Sequence, residues 1–149
     1  MAPLSHRPPI LNLIGDPKGK VIPDLGCGSG YLSRRLARQG ATITAVDSSS
    51  KMMGNAKKHD QANELGINYI LTNANHLESL ADGSFDIVFA NMSLMGIEDA
   101  EGAISEVDRV LKRGGRFIAC ISHPCFDNGS NSGWIIEKGL YNSKTYRRI

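Results

Sequence analysis

Three glycines at alternate positions, Gly26, Gly28 and Gly30, directly follow an apolar run that carries a carboxylate, Val21-Ile22-Pro23-Asp24-Leu25. Glycines in such a turn let the backbone bend sharply and approach a ligand with no side chain in the way. A second carboxylate, Asp47, ends the β-branched run Thr42-Ile43-Thr44-Ala45-Val46. An acid at the end of the next strand can accept hydrogen bonds from both hydroxyls of a ribose. The pair predicts an adenosine-bearing ligand, and Asp47 alone does not say which one. The blander readings are a tight turn and a surface acid closing a strand.

The loop spacing narrows the choice. The dinucleotide fingerprint is G-x-G-x-x-G, whose third glycine packs a helix close beside a pyrophosphate. Here the pattern is Gly26-Cys27-Gly28-Ser29-Gly30, and Tyr31 stands at the sixth position. Asp24 would also set a carboxylate near any pyrophosphate, a pairing of like charges. S-adenosylmethionine has no phosphate and carries a positive amino group and sulfonium, so it suits this loop better than NAD does.

Elements must position these groups. Lys20 to Leu25 reads as a buried strand, followed by a helix from Tyr31 to Gln39 with Leu32 and Leu36 on one face. Thr42 to Asp47 is a second strand, and Ser48-Ser49-Ser50 supplies caps for a helix to about Glu64. Ile67 to Thr72 and Phe85 to Ala90 are the third and fourth strands. Asp99 caps a helix carrying Ile104, Val107 and Leu111 on one face, and Arg116 to Ser122 is the fifth strand. Ile10 to Ile14 is a short docking helix. Strands alternating with helices predict an α/β, doubly wound, mostly parallel sheet with helices on both faces. In such sheets the ligand sits beyond the carboxyl ends of the strands, where the strand order reverses. Both Asp47 and the glycine loop follow strand ends.

Val21 to Gly30 resembles the first motif of the class I S-adenosylmethionine-dependent methyltransferases. Ser84-Phe85-Asp86-Ile87-Val88-Phe89-Ala90-Asn91 resembles their fourth-strand motif. Glu106-Val107-Asp108-Arg109-Val110-Leu111-Lys112-Arg113-Gly114-Gly115-Arg116-Phe117 resembles the helix, turn and fifth strand that follow. The matches run in order from about residue 10 to residue 126. The resemblance implies a Rossmann-like methyltransferase fold with S-adenosyl-L-methionine as cofactor. It lays the backbone of Gly26, Cys27, Gly28, Ser29 and Gly30 along the methionine portion, with Asp24 near the amino group. It gives Asp47 the ribose, Ser48 and Met52 the borders of the adenine, and Asn73-Ala74 the adenine amino group. Ala90 and Asn91 close over the methionine end.

Three positions depart from the family pattern. Pro23 replaces an aliphatic residue and removes a ladder donor from a central strand. Asn73 stands where an aspartate is common, and Arg113 stands where the turn commonly has proline. His123-Pro124-Cys125-Phe126 follows the fifth strand at the ligand end and resembles a subset of small-molecule methyltransferases with His-Pro there. His123 is therefore the candidate catalytic residue, as base or substrate contact. The bland alternative is a strand ended by proline with Phe126 buried.

The rest of the composition bounds the class. The chain has 149 residues, 41% hydrophobic and 21% charged, with a formal net charge of +2. That suits a single S-adenosylmethionine-binding domain over 1–149 and argues against nucleic acid as a partner. No apolar run approaches the about 20 residues of a membrane helix. The first residues lack a leader pattern, so a cytoplasmic address is expected. Cys27, Cys120 and Cys125 have neither metal-ligand nor disulfide-framework spacing. The sheet is expected to stop after its fifth strand, with an irregular tail over 127–149. Arg116 to Ile121 would then be a bare edge, open to the tail or to a second copy of the chain. The function expected is methyl transfer to an O, N or C nucleophile of a small molecule. The alternatives are a cofactor-binding module or fragment without turnover, and an NAD-dependent oxidoreductase disfavoured by the loop.

Overall fold

A computed structural model describes residues 9–122 and the backbone of 134–138 and 144–148. Five parallel strands form one sheet in the order β3-β2-β1-β4-β5. They are β1 (Val21–Leu25), β2 (Thr42–Asp47), β3 (Asn68–Leu71), β4 (Phe85–Asn91) and β5 (Leu111–Cys120). The helices are α1 (Pro9–Ile14), α2 (Tyr31–Ala37), α3 (Ser50–Gln61) and α4 (Ala100–Val110), with a 3-10 turn at Leu94–Gly96. The order reverses between β1 and β4, which places the switch point where the glycine loop leaves β1.

Alternation along the strands builds a core on each face of the sheet. In β4, Ile87 and Phe89 join one cluster with Ile10, Leu32, Leu36 and Ile43. Val88 and Ala90 join the other with Leu77, Val107 and Val110. A side chain as fully buried as Phe89 contributes about 1.5–3 kcal/mol. Arg116 fastens α1 to β5 by donating to the carbonyls of Leu13 and Ile14, both at 3.0 Å. A cation at a helix C-terminus also meets the negative end of the helix dipole.

Pro23 leaves a visible mark. β1 pairs with β2 at all five of its residues, but with β4 only at Asp24↔Phe89. The N–H of Gly26 bonds the Val46 carbonyl on the β2 side, so alternation turns position 23 toward β4. Proline has no N–H to give there. The N–H of Val21, on the same side, is taken by the Asp86 carboxylate at 2.8 Å. Asp86 thus closes a free donor at the start of β1. Lys112 and that backbone bond hold its carboxyl below the usual range, the backbone bond contributing more.

The element boundaries differ from expectation at helix ends. α3 stops at Gln61 rather than Glu64, because the Asn63 side chain donates to the His59 carbonyl at 2.8 Å and Glu64 takes a positive φ of 47°. The expected irregular tail is corrected by two strands, β6 (Trp134–Lys138) and β7 (Lys144–Arg148). They pair antiparallel in a two-stranded sheet of their own, in register from Trp134↔Arg148 to Lys138↔Lys144. β-branched and aromatic residues in both segments favour that pairing. Among the described residues β5 is the sheet's edge, and β6 and β7 pair with each other.

Candidate cofactor-binding site

The turn after β1 is built from backbone conformations that side chains resist. Gly26, Gly28 and Gly30 have φ of 71°, 54° and 73°. Gly26 is needed twice over, because a Cβ there would collide with the Cβ of Ser93. Ser93 in turn donates to the Leu25 carbonyl at 2.5 Å. This contact fastens the loop after β4 onto the loop after β1. The N–H groups of Gly26 and Cys27 both bond the Val46 carbonyl, at 2.8 and 2.9 Å.

Asp47 organises the switch point. One carboxylate oxygen accepts from the Gly28 N–H at 2.8 Å, the other from the Ser49 N–H at 2.8 Å. The carboxylate therefore sets the glycine loop and the entry to α3, where Ser49 accepts from the Met52 N–H at 3.3 Å. Each oxygen has a remaining lone pair for a ligand hydroxyl.

Asp24 lies deeper, 2% exposed, and accepts from Ser33 Oγ of α2. Burial pushes its carboxyl up to about 7, opposed by the Ser33 hydrogen bond and aided by the charge of Asp47. Cys27 packs on the core beside the loop, and burial, then Asp24 and Asp47, push its thiol up to about 12. It stays a protonated, unreactive thiol at neutral pH.

A cavity of about 760 Å³ opens beyond the carboxyl ends of β1, β2 and β4. Of the residues expected from sequence, Gly26, Asp47, Ser48, Asn73 and Ala74 line it. Asp24, Cys27, Gly28, Ser29, Gly30, Ala90 and Asn91 are not among its lining residues. Met52 does not line it either. It is 43% exposed at the start of α3, while Met53 takes the buried place. His123 and the His-Pro-Cys-Phe segment lie outside the described residues, as does Cys125.

Sequence reasoning missed the far wall, which is formed by Asn75, Met92, Ser93, Ile97, Glu98 and Asp99 among others. Asp99 caps α4 through the Gly102 N–H at 2.9 Å and accepts from Asn75 at 3.0 Å. Those two bonds, Asn75 first, hold its carboxyl below the usual range. Met92 is 54% exposed with a φ of 56°, a strained setting for a long side chain. Its N–H bonds the Cys120 carbonyl at 2.8 Å.

Arg109 was also given no role from sequence. Its guanidinium bonds both Glu106 oxygens, Asp82 and the carbonyls of Leu77 and Leu80. Glu106 in addition accepts from the Leu77 N–H at 2.9 Å. These bonds pin the segment that follows Asn73 and Ala74 to α4. The i, i+3 spacing of Glu106 and Arg109 was the available signal.

Comparison with known proteins places this geometry in a family. Residues 23–119 match the model of a methyltransferase domain. The chain is 36% identical over 99 residues to a ubiquinone biosynthesis O-methyltransferase of Coxiella burnetii, covering 66% of this chain and 42% of that one. It is 33% identical over 113 residues to a demethylmenaquinone methyltransferase of Tropheryma whipplei, covering 75% and 46%. The chain thus spans less than half the length of these relatives. Among solved structures, an S-adenosylmethionine-dependent methyltransferase from Mesorhizobium loti superimposes with a TM-score of 0.73 and 27% identity. That superposition covers 93% of this chain and 61% of the other. With its switch-point cavity, its three-glycine turn and these matches, the chain belongs to the class I S-adenosylmethionine-dependent methyltransferases.

Proposed function

We propose that this chain binds S-adenosylmethionine in the switch-point cavity and serves methyl transfer to an oxygen, nitrogen or carbon nucleophile of a small molecule. The observation that carries this reading is the charge of the walls. Asp47, Glu98 and Asp99 line the cavity, Asp24 is buried near the carboxyl end of β1, and no lysine or arginine is among the lining residues. A pyrophosphate would be repelled there, whereas an ammonium and a sulfonium are attracted.

When bound, the cofactor supplies the activated methyl group. The protein's own part is positioning and exclusion of water. Asp47 would hold the ribose hydroxyls, and the Gly26–Gly30 turn would give the methionine portion a close backbone surface. Asn73 and Ala74 would meet the adenine, with Ser48 and Met52 at its border. Ala90 and Asn91 would back the methionine end. Met92 and Ile97 would present apolar surface toward the acceptor side. His123, three residues after β5 in the sequence, would orient or deprotonate the acceptor.

One of these relatives is a ubiquinone biosynthesis O-methyltransferase and the other a demethylmenaquinone methyltransferase, which supports a small-molecule acceptor. No helix among the described residues is long and apolar enough to cross a membrane. We place the protein in the cytoplasm and give the β5 edge to self-association. The second reading is cofactor binding without turnover. A screen with radiolabelled S-adenosylmethionine and small phenolic, amine and carboxylate acceptors separates the two. Incorporation supports the enzyme, and saturable cofactor binding with no incorporation into any acceptor supports the binding module.

A further inference from the structure

At the amino end of the strands, opposite the cofactor cavity, lies a second cavity of about 170 Å³. It is lined by Lys20, Asp86, Lys112, Arg113, Arg116 and the Gly114–Gly115 backbone, among others. Lys20 immediately precedes β1, β4 delivers Asp86, and the turn inside β5 delivers the rest. That turn is held open by register. Phe85 pairs with Leu111 and Ile87 with Arg116, so the residues between Leu111 and Arg116 loop out. Gly115 permits the loop, because a Cβ there would press on the Lys112 and Phe85 carbonyls.

The charges do not balance. The carboxylate of Asp86 already receives Lys112 at 2.9 Å and the Val21 N–H at 2.8 Å. Arg116 donates to two carbonyls at the C-terminal end of α1 and pairs with no carboxylate among the described residues. Lys20 and Arg113 make no ion pair with any carboxylate among the described residues. Three cations therefore converge on a cavity smaller than the roughly 300 Å³ at which drug-sized ligands begin.

We infer that this cavity is a binding site for the phosphate group of a small anionic molecule, with Lys20, Arg113 and Arg116 as its cationic walls. A tetrahedral dianion matches the cavity in sign, and the guanidinium fork of Arg113 suits phosphate oxygens. The site sits at the opposite end of the sheet from the methyl-transfer cavity. It would act on the protein as an effector or anchoring site rather than as part of the acceptor pocket.

Calorimetric titration of the whole chain with inorganic phosphate at low ionic strength tests this. One saturable site is expected, weakened by sodium chloride. Arg113→Ala and Lys20→Ala should each lower its affinity about tenfold, the loss of one charge-assisted hydrogen bond. Both side chains are exposed, so thermal midpoints measured without phosphate should not change. Cosedimentation with phosphatidic acid vesicles distinguishes the source of the phosphate. Vesicle binding that inorganic phosphate competes away assigns a lipid headgroup, and its absence assigns a soluble ester. No saturable phosphate binding, or unchanged affinity in both variants, overturns the inference.

Discussion

Replacing Asp47 tests the site at its most connected residue. In Asp47→Ala two backbone N–H groups, those of Gly28 and Ser49, lose their acceptor at once. Each part-buried donor left without a partner costs about 1–3 kcal/mol, so stability should fall by about 2–4 kcal/mol, short of twice the single figure because water reaches the loop. Binding should fall separately. A carboxylate hydrogen-bonded to ribose hydroxyls contributes about 1.5–3 kcal/mol, roughly a ten- to 150-fold loss of affinity. Asp47→Asn sharpens the test, since one oxygen becomes an amide that faces a backbone donor. It should lose affinity nearly as far as Asp47→Ala while keeping more stability. Calorimetry with S-adenosylhomocysteine, with thermal melts on the same samples, reads both quantities. Unchanged affinity in a folded Asp47→Ala protein would mean that Asp47 only braces the loop and that the ribose lies elsewhere.

Other outcomes follow from the same geometry. Gly26→Ala should destabilise the fold by about 2–4 kcal/mol, from its positive φ and its collision with Ser93, and Ser93→Gly should recover part of that in a double-mutant cycle. Arg109→Met should cost about 2–4 kcal/mol in a denaturant titration, with Arg109→Lys rescuing little, because one ammonium cannot reach both Glu106 oxygens and two carbonyls. The raised carboxyl of Asp24 stabilises the fold fully below its unfolded value of 3.8, and that contribution is lost as pH rises through about 7. Asp24→Asn should therefore flatten the stability profile between those values. A positive ligand favours the charged carboxylate, so cofactor affinity should rise with pH through about 7 in the wild type and not in Asp24→Asn. His123→Ala should lower turnover while leaving S-adenosylhomocysteine affinity unchanged, and equal loss of both would point to a structural role at the strand end.

The switch point was legible because its signals are local. Gly26, Gly28 and Gly30 announce left-handed turns, and Asp47 closes a β-branched run, so each could be placed from its neighbours alone. The apolar run from Phe85 to Ala90 likewise gave the fourth strand from its neighbours alone. The far wall was not legible, since Ser93, Asn75 and Asp99 become site residues only through contacts that join separate loops. Met52 and Met53 show the limit of periodicity near a helix start. One turn of α3 does not say which of two adjacent methionines faces the core. The tail was misread because glycine, asparagine and serine at 127–133 suggested irregular chain throughout. The β-branched and aromatic residues on either side of 139–143 were the better signal, and they form β6 and β7.

The most direct test of cofactor identity is a calorimetric titration of the whole chain, run in parallel with S-adenosylhomocysteine and with NAD. The charge of the cavity walls predicts saturable binding of S-adenosylhomocysteine at one site per chain and no detectable binding of NAD. Binding of NAD with equal or greater affinity, or no binding of S-adenosylhomocysteine by a folded sample, would contradict it.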